Sequence, residues 1–149
     1  MIFIRSRKGF SLVELMVVIS IIGILMAVGA VSFITAQRKA RDSSRRSDMR
    51  ATQEAMEQYY TENGEYPTSS NCDELYASAT FAPGGRPVDP RPSQTYDFSC
   101  DITDGSGYCI CAELENELGN SSALPTLNAF NCTFGSTAPL PYFCVTNQQ

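Results

Sequence analysis

The sequence predicts an α+β fold in which one long N-terminal helix packs on a small antiparallel sheet that is stapled by disulfide bonds. Two observations on the 149 residues predict it. A helix-compatible segment runs from about Phe10 to Glu62, hydrophobic in its first half and amphipathic in its second. All six cysteines follow this segment, among short stretches that alternate apolar and polar residues.

The first half of the helix, residues 10–34, is almost wholly apolar and carries one charged residue, Glu14. A helix of that length reaches ~37 Å, more than the ~30 Å hydrocarbon core of a bilayer. A short basic segment, residues 1–9, precedes it and holds Arg5, Arg7 and Lys8. The sequence therefore predicts a transmembrane half-helix at 10–34.

The second half-helix, residues 35–63, contains no proline or glycine before its end. Its apolar positions form one stripe at helical spacing: Met49, Thr52, Met56 and Tyr59, flanked by Ala51 and Ala55. Asn63-Gly64 is a typical helix end. We expect this face to cover the sheet.

The distal part, residues 64–149, begins with a loop-rich stretch that could include a short helix at Cys72–Ala79. Alternation predicts three strands, at Thr95–Cys100, Tyr108–Leu114 and Pro141–Thr146. A core of this size is marginal, and three disulfides would each add ~2–4 kcal/mol.

The cysteines form a disulfide framework within this distal part. Six cysteines allow fifteen pairings, which the sequence leaves open, although Cys109 and Cys111 share a strand face and so need separate partners. Disulfides require an oxidising compartment, so we place the N-terminus in the cytoplasm and residues beyond about 36 outside it. The framework comprises Cys72, Cys100, Cys109, Cys111, Cys132 and Cys144.

Charge is distributed unevenly along the chain. The net charge of −5 divides into +3 for residues 1–9, −1 for 10–34, +4 for 35–50 and −11 for 51–149. An acidic protein of this kind is not expected to bind nucleic acid. The chain has no histidine, which removes Ser-His-Asp and Cys-His catalysis, and we expect no enzymatic activity.

The segment Lys8-Gly9-Phe10-Ser11-Leu12-Val13-Glu14-Leu15 closely resembles the processing motif of type IV prepilins and of the pseudopilins of type II secretion. The resemblance implies a pilin-like fold and a leader peptide, residues 1–9, that prepilin peptidase cuts at Gly9–Phe10 before it N-methylates Phe10. It also implies that Glu14 pairs with the N-terminal ammonium of a neighbouring subunit. The chain departs from the family at Val31, where many members carry a helix-breaking proline.

A filament subunit is the function that the resemblance implies. Its partners would be further copies of itself, minor pilins, prepilin peptidase, and an assembly platform with its ATPase. The chain would reside in the bacterial cytoplasmic membrane as a single-pass protein and then in a cell-envelope or extracellular filament. The sequence does not separate a type IV pilus from a secretion pseudopilus.

Two alternatives concern the N-terminal segment. Ser11 and Glu14 also fit a capping box, in which Glu14 bonds to the backbone of Ser11. Val28-Gly29-Ala30 fits a signal-peptidase site, which would make the chain a secreted or membrane-anchored disulfide-rich binding domain.

Three further patterns carry weaker hypotheses. Cys109-Ile110-Cys111 has the wrong spacing for a metal or redox pair. Asp97, Asp101 and Asp104 form an acidic turn that is a weak calcium candidate. Their spacing is not that of an EF-hand loop and favours a solvated hairpin turn, so we expect no cofactor. The basic run Arg38–Arg50 either contacts lipid headgroups or neighbouring subunits or is simply solvated, with DNA binding a remote option.

Overall fold

A computed structural model of the chain describes residues 9–69, 71–125, 132–135 and 139–148. The chain divides into two units, Met1–Gln37 and Arg38–Gln149. Helix α1, Leu12–Asn63, is continuous over 52 residues and contributes to both. Its ends lie within two residues of those predicted, and Val31 lies inside it without a break.

The first unit consists, where described, of the N-terminal residues and the apolar half of α1. Every described side chain from 9 to 37 is exposed. By length and composition, α1 is the one helix among the described residues that could cross a membrane. Its hydroxyl groups bond to carbonyls one turn back, as Ser20 does to Met16 at 2.7 Å and Thr35 to Val31 at 3.2 Å. These bonds leave fewer polar groups that need water.

Helix α1 ends where glycine permits a left-handed residue. Gly64 has a φ of +81°, and its N–H donates to the Tyr60 carbonyl at 2.8 Å. The chain then turns back, because the Tyr66 N–H bonds to Gly105 O at 2.9 Å in the loop between the first two strands. A short helix α2 follows at Asp73–Ala77, inside the range that the sequence predicted.

The sheet has three antiparallel strands in the order β1-β2-β3: β1 Asp97–Cys100, β2 Tyr108–Glu113 and β3 Tyr142–Thr146. Each is shorter than predicted by one or two residues at an end. In register, Phe98 faces Ile110 and Ile110 faces Val145. All three pack with Met49 and Met56 of α1, so the predicted helix-on-sheet arrangement is confirmed.

The opposite face of the sheet carries sulfur. Cys111 lies directly across from Cys144 and is bonded to it. Cys109 is bonded to Cys132, and the third disulfide, Cys72–Cys100, ties the start of α2 to the end of β1. The pair on β2 thus has separate partners, as their shared face required.

Candidate functional site

The N-terminal motif is built around the first turn of α1. Ser11 precedes the helix, and its hydroxyl accepts a hydrogen bond from the Glu14 N–H at 3.2 Å. In return, the Glu14 carboxylate accepts the Ser11 N–H at 2.9 Å. This reciprocal pair is a capping box, so the local alternative for these two residues is present in the single chain.

The capping box uses one carboxylate oxygen of Glu14, Oε2. The side chain lies on an exposed first turn beside Phe10, which is 87% exposed. The carboxylate is therefore fixed in direction and accessible, and its second oxygen is available geometrically for a cationic partner from outside the chain. Gly9 is exposed as well, whereas Arg5, Arg7 and Lys8 lie outside the described residues.

The N-terminal motif continues into the apolar half of α1. Large hydrophobic side chains are exposed on every side of it, among them Val13, Ile24 and Phe33, each at 64–67%. An apolar surface of this extent marks an interaction with lipid or with protein. The carboxylate of Glu14 is the single acidic group within it.

A second site is a buried ion cluster in the Arg38–Gln149 unit, centred on Arg45. The Arg45 side chain is fully buried and contacts Asp42 at 2.9 Å, Asp89 at 2.7 Å and Glu115 at 3.0 Å. The hydrogen bonds that Arg45 donates, to Asp89 first and also to Glu115 and Asp42, raise the pKa of Arg45. A buried guanidinium with three carboxylate partners stays charged.

The carboxylates of the cluster are held by backbone groups as well. Asp42 accepts the N–H groups of Glu115, Asn116 and Glu117 at 2.8, 2.8 and 3.2 Å. Burial alone would raise the pKa of Asp89, but the hydrogen bonds from Arg45 and from the Arg91 N–H outweigh it and lower the pKa. The cluster thus joins α1 to the loop before β1 and to the loop after β2.

The cluster also corrects the interpretation of the basic run Arg38–Arg50. We expected these bases to be solvated or to contact lipid or other subunits, and for half of them this is wrong. Arg41 pairs with Glu115 at 2.6 Å, and Arg46 with Glu117 at 3.2 Å, in addition to the buried Arg45. The sequence signal that we missed is the spacing: Asp42 and Arg45 continue the buried stripe of Met49, Thr52 and Met56.

The acidic turn between β1 and β2 is stabilised from within. The Asp101 carboxylate accepts the Thr103 N–H at 2.9 Å and the Ser106 hydroxyl at 2.8 Å, and the bonds from Thr103 lead the effects that lower its pKa. Asp104 accepts the Ser106 N–H at 3.0 Å. Among the described residues, the carboxylates of Asp97, Asp101 and Asp104 do not converge on one point. The calcium hypothesis stays a prediction.

The face of the sheet that carries the disulfides offers no metal site while its cysteines are oxidised. The sulfur atoms of Cys109, Cys111, Cys132 and Cys144 lie within 4.8 Å of one another. All four are consumed in disulfides, and a metal ligand must be a thiolate.

The first half of α1 is apolar and exposed and carries one capped carboxylate. Its second half is amphipathic and packs on an antiparallel sheet that disulfides staple. This combination defines the pilin-like fold. Residues 4–30 match the family described as the prokaryotic N-terminal methylation motif. The match and the fold support the assignment of the chain to the type IV prepilins and pseudopilins.

Curated relatives of two kinds support this assignment. The chain is 34% identical over 69 residues to the type IV major pilin protein PilA of Myxococcus xanthus, covering 46% of this chain and 31% of that protein. It is 36% identical over 83 residues to the type II secretion system core protein G of Aeromonas hydrophila, covering 55% and 58%. It is 37% identical over 78 residues to a fimbrial protein of Neisseria meningitidis, covering 52% and 45%.

The chain thus spans between about a third and three fifths of the length of these relatives. No solved structure matches the chain significantly.

Proposed function

We propose that this chain is a structural subunit that prepilin peptidase cuts between Gly9 and Phe10 and methylates, and that then polymerises into a type IV pilus or a secretion pseudopilus. One observation carries the proposal: the methylation motif, residues 4–30, continues into the apolar half of α1, and that half is exposed all round. None of the residues that the structure describes covers that surface, so lipid covers it before assembly and other copies cover it afterwards.

The parts of the chain then have separate tasks. Residues 1–9 are the leader, which stays in the cytoplasm. Residues 10–34 anchor the subunit in the membrane and later form the filament core, while residues 35–63 carry the sheet domain of residues 64–149 outside the membrane. Further copies, minor pilins, prepilin peptidase, an assembly platform and its ATPase are the partners, and the subunit itself performs no catalysis.

Glu14 acts in this proposal as a register device. A carboxylate at the centre of a bilayer costs about 2.5–3.5 kcal/mol, less near its edge. In the single chain the capping box lowers that cost by giving Oε2 a backbone partner. The methylated ammonium of Phe10 from another copy supplies the opposite charge only when the two helices have the correct stagger.

The processing step is tested by the intact mass of the mature protein from a host that contains a prepilin peptidase. We expect a chain that begins at methylated Phe10. A mature chain that begins at Val31 would overturn the proposal and support the alternative, a disulfide-rich domain released by signal peptidase.

The role of Glu14 is tested by variants that separate its charge from its cap. Glu14→Gln keeps a capping-box side chain but removes the charge, whereas Ser11→Ala removes the hydroxyl of the cap and keeps the charge. We expect Glu14→Gln to be processed normally and to assemble poorly, and Ser11→Ala to assemble. If Glu14→Gln polymerises as the wild type does, Glu14 is a helix cap and no more.

A further inference from the structure

The bases at the start of the Arg38–Gln149 unit fall into an internal and an external group. Arg41, Arg45 and Arg46 have carboxylate partners within the unit. Arg38 and Lys39 are exposed, and no carboxylate of the described residues forms an ion pair with either. We call these two residues the basic patch. Arg50 is also exposed and forms no ion pair with a described residue, but it lies 11 residues after Lys39 on α1, so it is not part of this patch.

The other end of the same unit carries exposed acids. Glu62 and Glu65 stand at the end of α1, and Asp104 stands in the turn between β1 and β2. The turn lies against Glu65, because the Tyr66 N–H bonds to Gly105 O at 2.9 Å. We call Glu62, Glu65 and Asp104 the acidic patch. No base of the described residues forms an ion pair with any of the three.

The two patches cannot meet within one chain. Glu62 follows Lys39 by 23 residues of continuous helix, which places their Cα atoms ~34 Å apart. A patch of each sign at opposite ends of one rigid element favours a contact between copies, in which the acidic end of one lies against the basic end of the next.

We propose that the basic patch of one subunit docks on the acidic patch of a second copy, displaced by ~34 Å along the helix direction. The inference rests on the proposed function, since it names the contact that sets the stacking distance in the filament. Such a head-to-tail contact joins two different surfaces, so it repeats without closing and generates an open assembly.

The contact between the patches sets the stacking distance of the subunits and contributes little to the free energy of association. Exposed ion pairs contribute at most about 1 kcal/mol each and weaken with salt. The apolar half-helices supply most of the free energy of association, while the patches reject copies that stack at the wrong distance. Anionic lipid headgroups are the rival occupant of the basic patch, because Lys39 follows the apolar segment by only a few residues.

Lys39 makes the contact directly measurable, because it is the one lysine of the chain after residue 9. A water-soluble carbodiimide activates a carboxylate, and the Lys39 amine then displaces the urea to form an amide with no spacer. Filaments sheared from cells that produce the wild-type chain are treated and their peptides are mapped. We expect an amide between Lys39 and Glu62, Glu65 or Asp104, which the ~34 Å separation makes a link between copies.

Lys39→Arg is the matched control, since it keeps the charge and removes the amine; it should form filaments without the link. Filaments in which Lys39 links only to other acids, such as Glu54 or Glu117, or to none, overturn the docking. If the wild-type chain forms no filament at all in a host with the assembly machinery, the proposed function itself fails, and this inference with it.

Charge reversal provides the second measurement on the full-length chain. We expect Arg38→Glu with Lys39→Glu to lower the amount of filament at least fivefold, and the further changes Glu62→Lys and Glu65→Lys to restore it. Undiminished filaments in the first variant overturn the docking while the filament function stands. The docking is also overturned, in favour of the lipid headgroups, by a different pair of results. In that case the unassembled first variant no longer binds membranes rich in anionic lipid, and the second variant does not restore the amount of filament.

Discussion

Asp42 and Arg45, three residues apart on α1, are both fully buried, and a guanidinium nitrogen of Arg45 lies 2.9 Å from Oδ1 of Asp42. They stand on the face of the helix that packs on the rest of its unit, in line with Met49 and Met56. The helix is therefore held to the distal part by apolar contacts at one end of this face and by ions at the other. A buried ion pair adds little net stability by comparison with apolar packing, but it is costly to break.

The first prediction concerns removal of the central cation. Arg45→Ala leaves the buried carboxylates of Asp42, Asp89 and Glu115 without their shared partner. We therefore expect the free energy of unfolding of the Arg38–Gln149 unit to fall by roughly 3–5 kcal/mol. Urea unfolding of the disulfide-intact chain in detergent, followed by tyrosine fluorescence, measures it. Arg38→Ala is the control on the same helix and should change stability by less than about 0.5 kcal/mol. Equal effects of the two variants would contradict the assigned role of the cluster.

The second prediction is a loss of stability in acid through Glu115. Its hydrogen bond from Arg41, and those from Arg45, outweigh burial and lower its pKa from 4.5 to about 2. Since the pKa is lower in the folded state, this carboxylate stabilises the fold above pH 4.5, and the contribution is lost as the pH falls toward about 2. Glu115→Gln should flatten the dependence of the unfolding midpoint on pH across this window. A wild-type midpoint that is constant from pH 5 to pH 2 would exclude it.

The sequence predicted the elements of the fold because their signals are local. The stripe from Met49 to Tyr59 and the alternation in the three strands are each visible within a few residues. The ion cluster was missed because its partners are distant: Arg45 meets Asp89 across 44 residues, and Arg41 meets Glu115 across 74. A charged residue on a helix face indicates solvent unless those partners are known.

The disulfide pairing was open for the same reason. Nothing in the spacing of the cysteines shows that Cys111 lies across from Cys144, since that depends on the register of β2 and β3. At the N-terminus, by contrast, the motif is contiguous. Two interpretations of Glu14, the capping box with Ser11 and the pairing with another subunit that the resemblance implies, were therefore available from the sequence. The capping box is the one that a single chain can display.

The third prediction compares the hydroxyl groups of two tyrosines, the fully buried Tyr108 and the half-buried Tyr76. The Tyr108 hydroxyl donates to Glu57 at 3.1 Å, whereas the Tyr76 hydroxyl is buried with no hydrogen bond of normal geometry to any described residue. We expect Tyr108→Phe to lower the free energy of unfolding by about 1–3 kcal/mol, because it removes a donor from a charged acceptor. Tyr76→Phe should be neutral or stabilising. The same urea titration separates them, and an equal loss in both would be inconsistent with the contacts.

Burial gives Tyr76 a second signature, since it raises the pKa of its hydroxyl from 10.0 to about 12. A raised pKa means that the fold favours the neutral phenol, so this contribution to stability is present below pH 10 and is lost as the pH rises toward 12. Ultraviolet titration of the wild type and of Tyr76→Phe should differ by one tyrosine that ionises in this range. A difference confined to pH 10 would show that Tyr76 is solvated.

The last prediction concerns Gly119, where the chain passes close to β3. Its N–H donates to Leu140 O at 2.8 Å, and a Cβ at this position would stand 1.8 Å from Tyr142 O. No rotamer relieves a clash between a Cβ and a backbone oxygen, so Gly119→Ala must displace either this loop or the start of β3. We expect a loss of about 1–3 kcal/mol in the free energy of unfolding, as for other overpacked positions. Gly84→Ala is the matched control, since a Cβ there meets nothing within 4 Å, and it should leave the unfolding midpoint unchanged. If Gly119→Ala unfolds at the same urea concentration as Gly84→Ala, the loop does not lie against Tyr142 in solution.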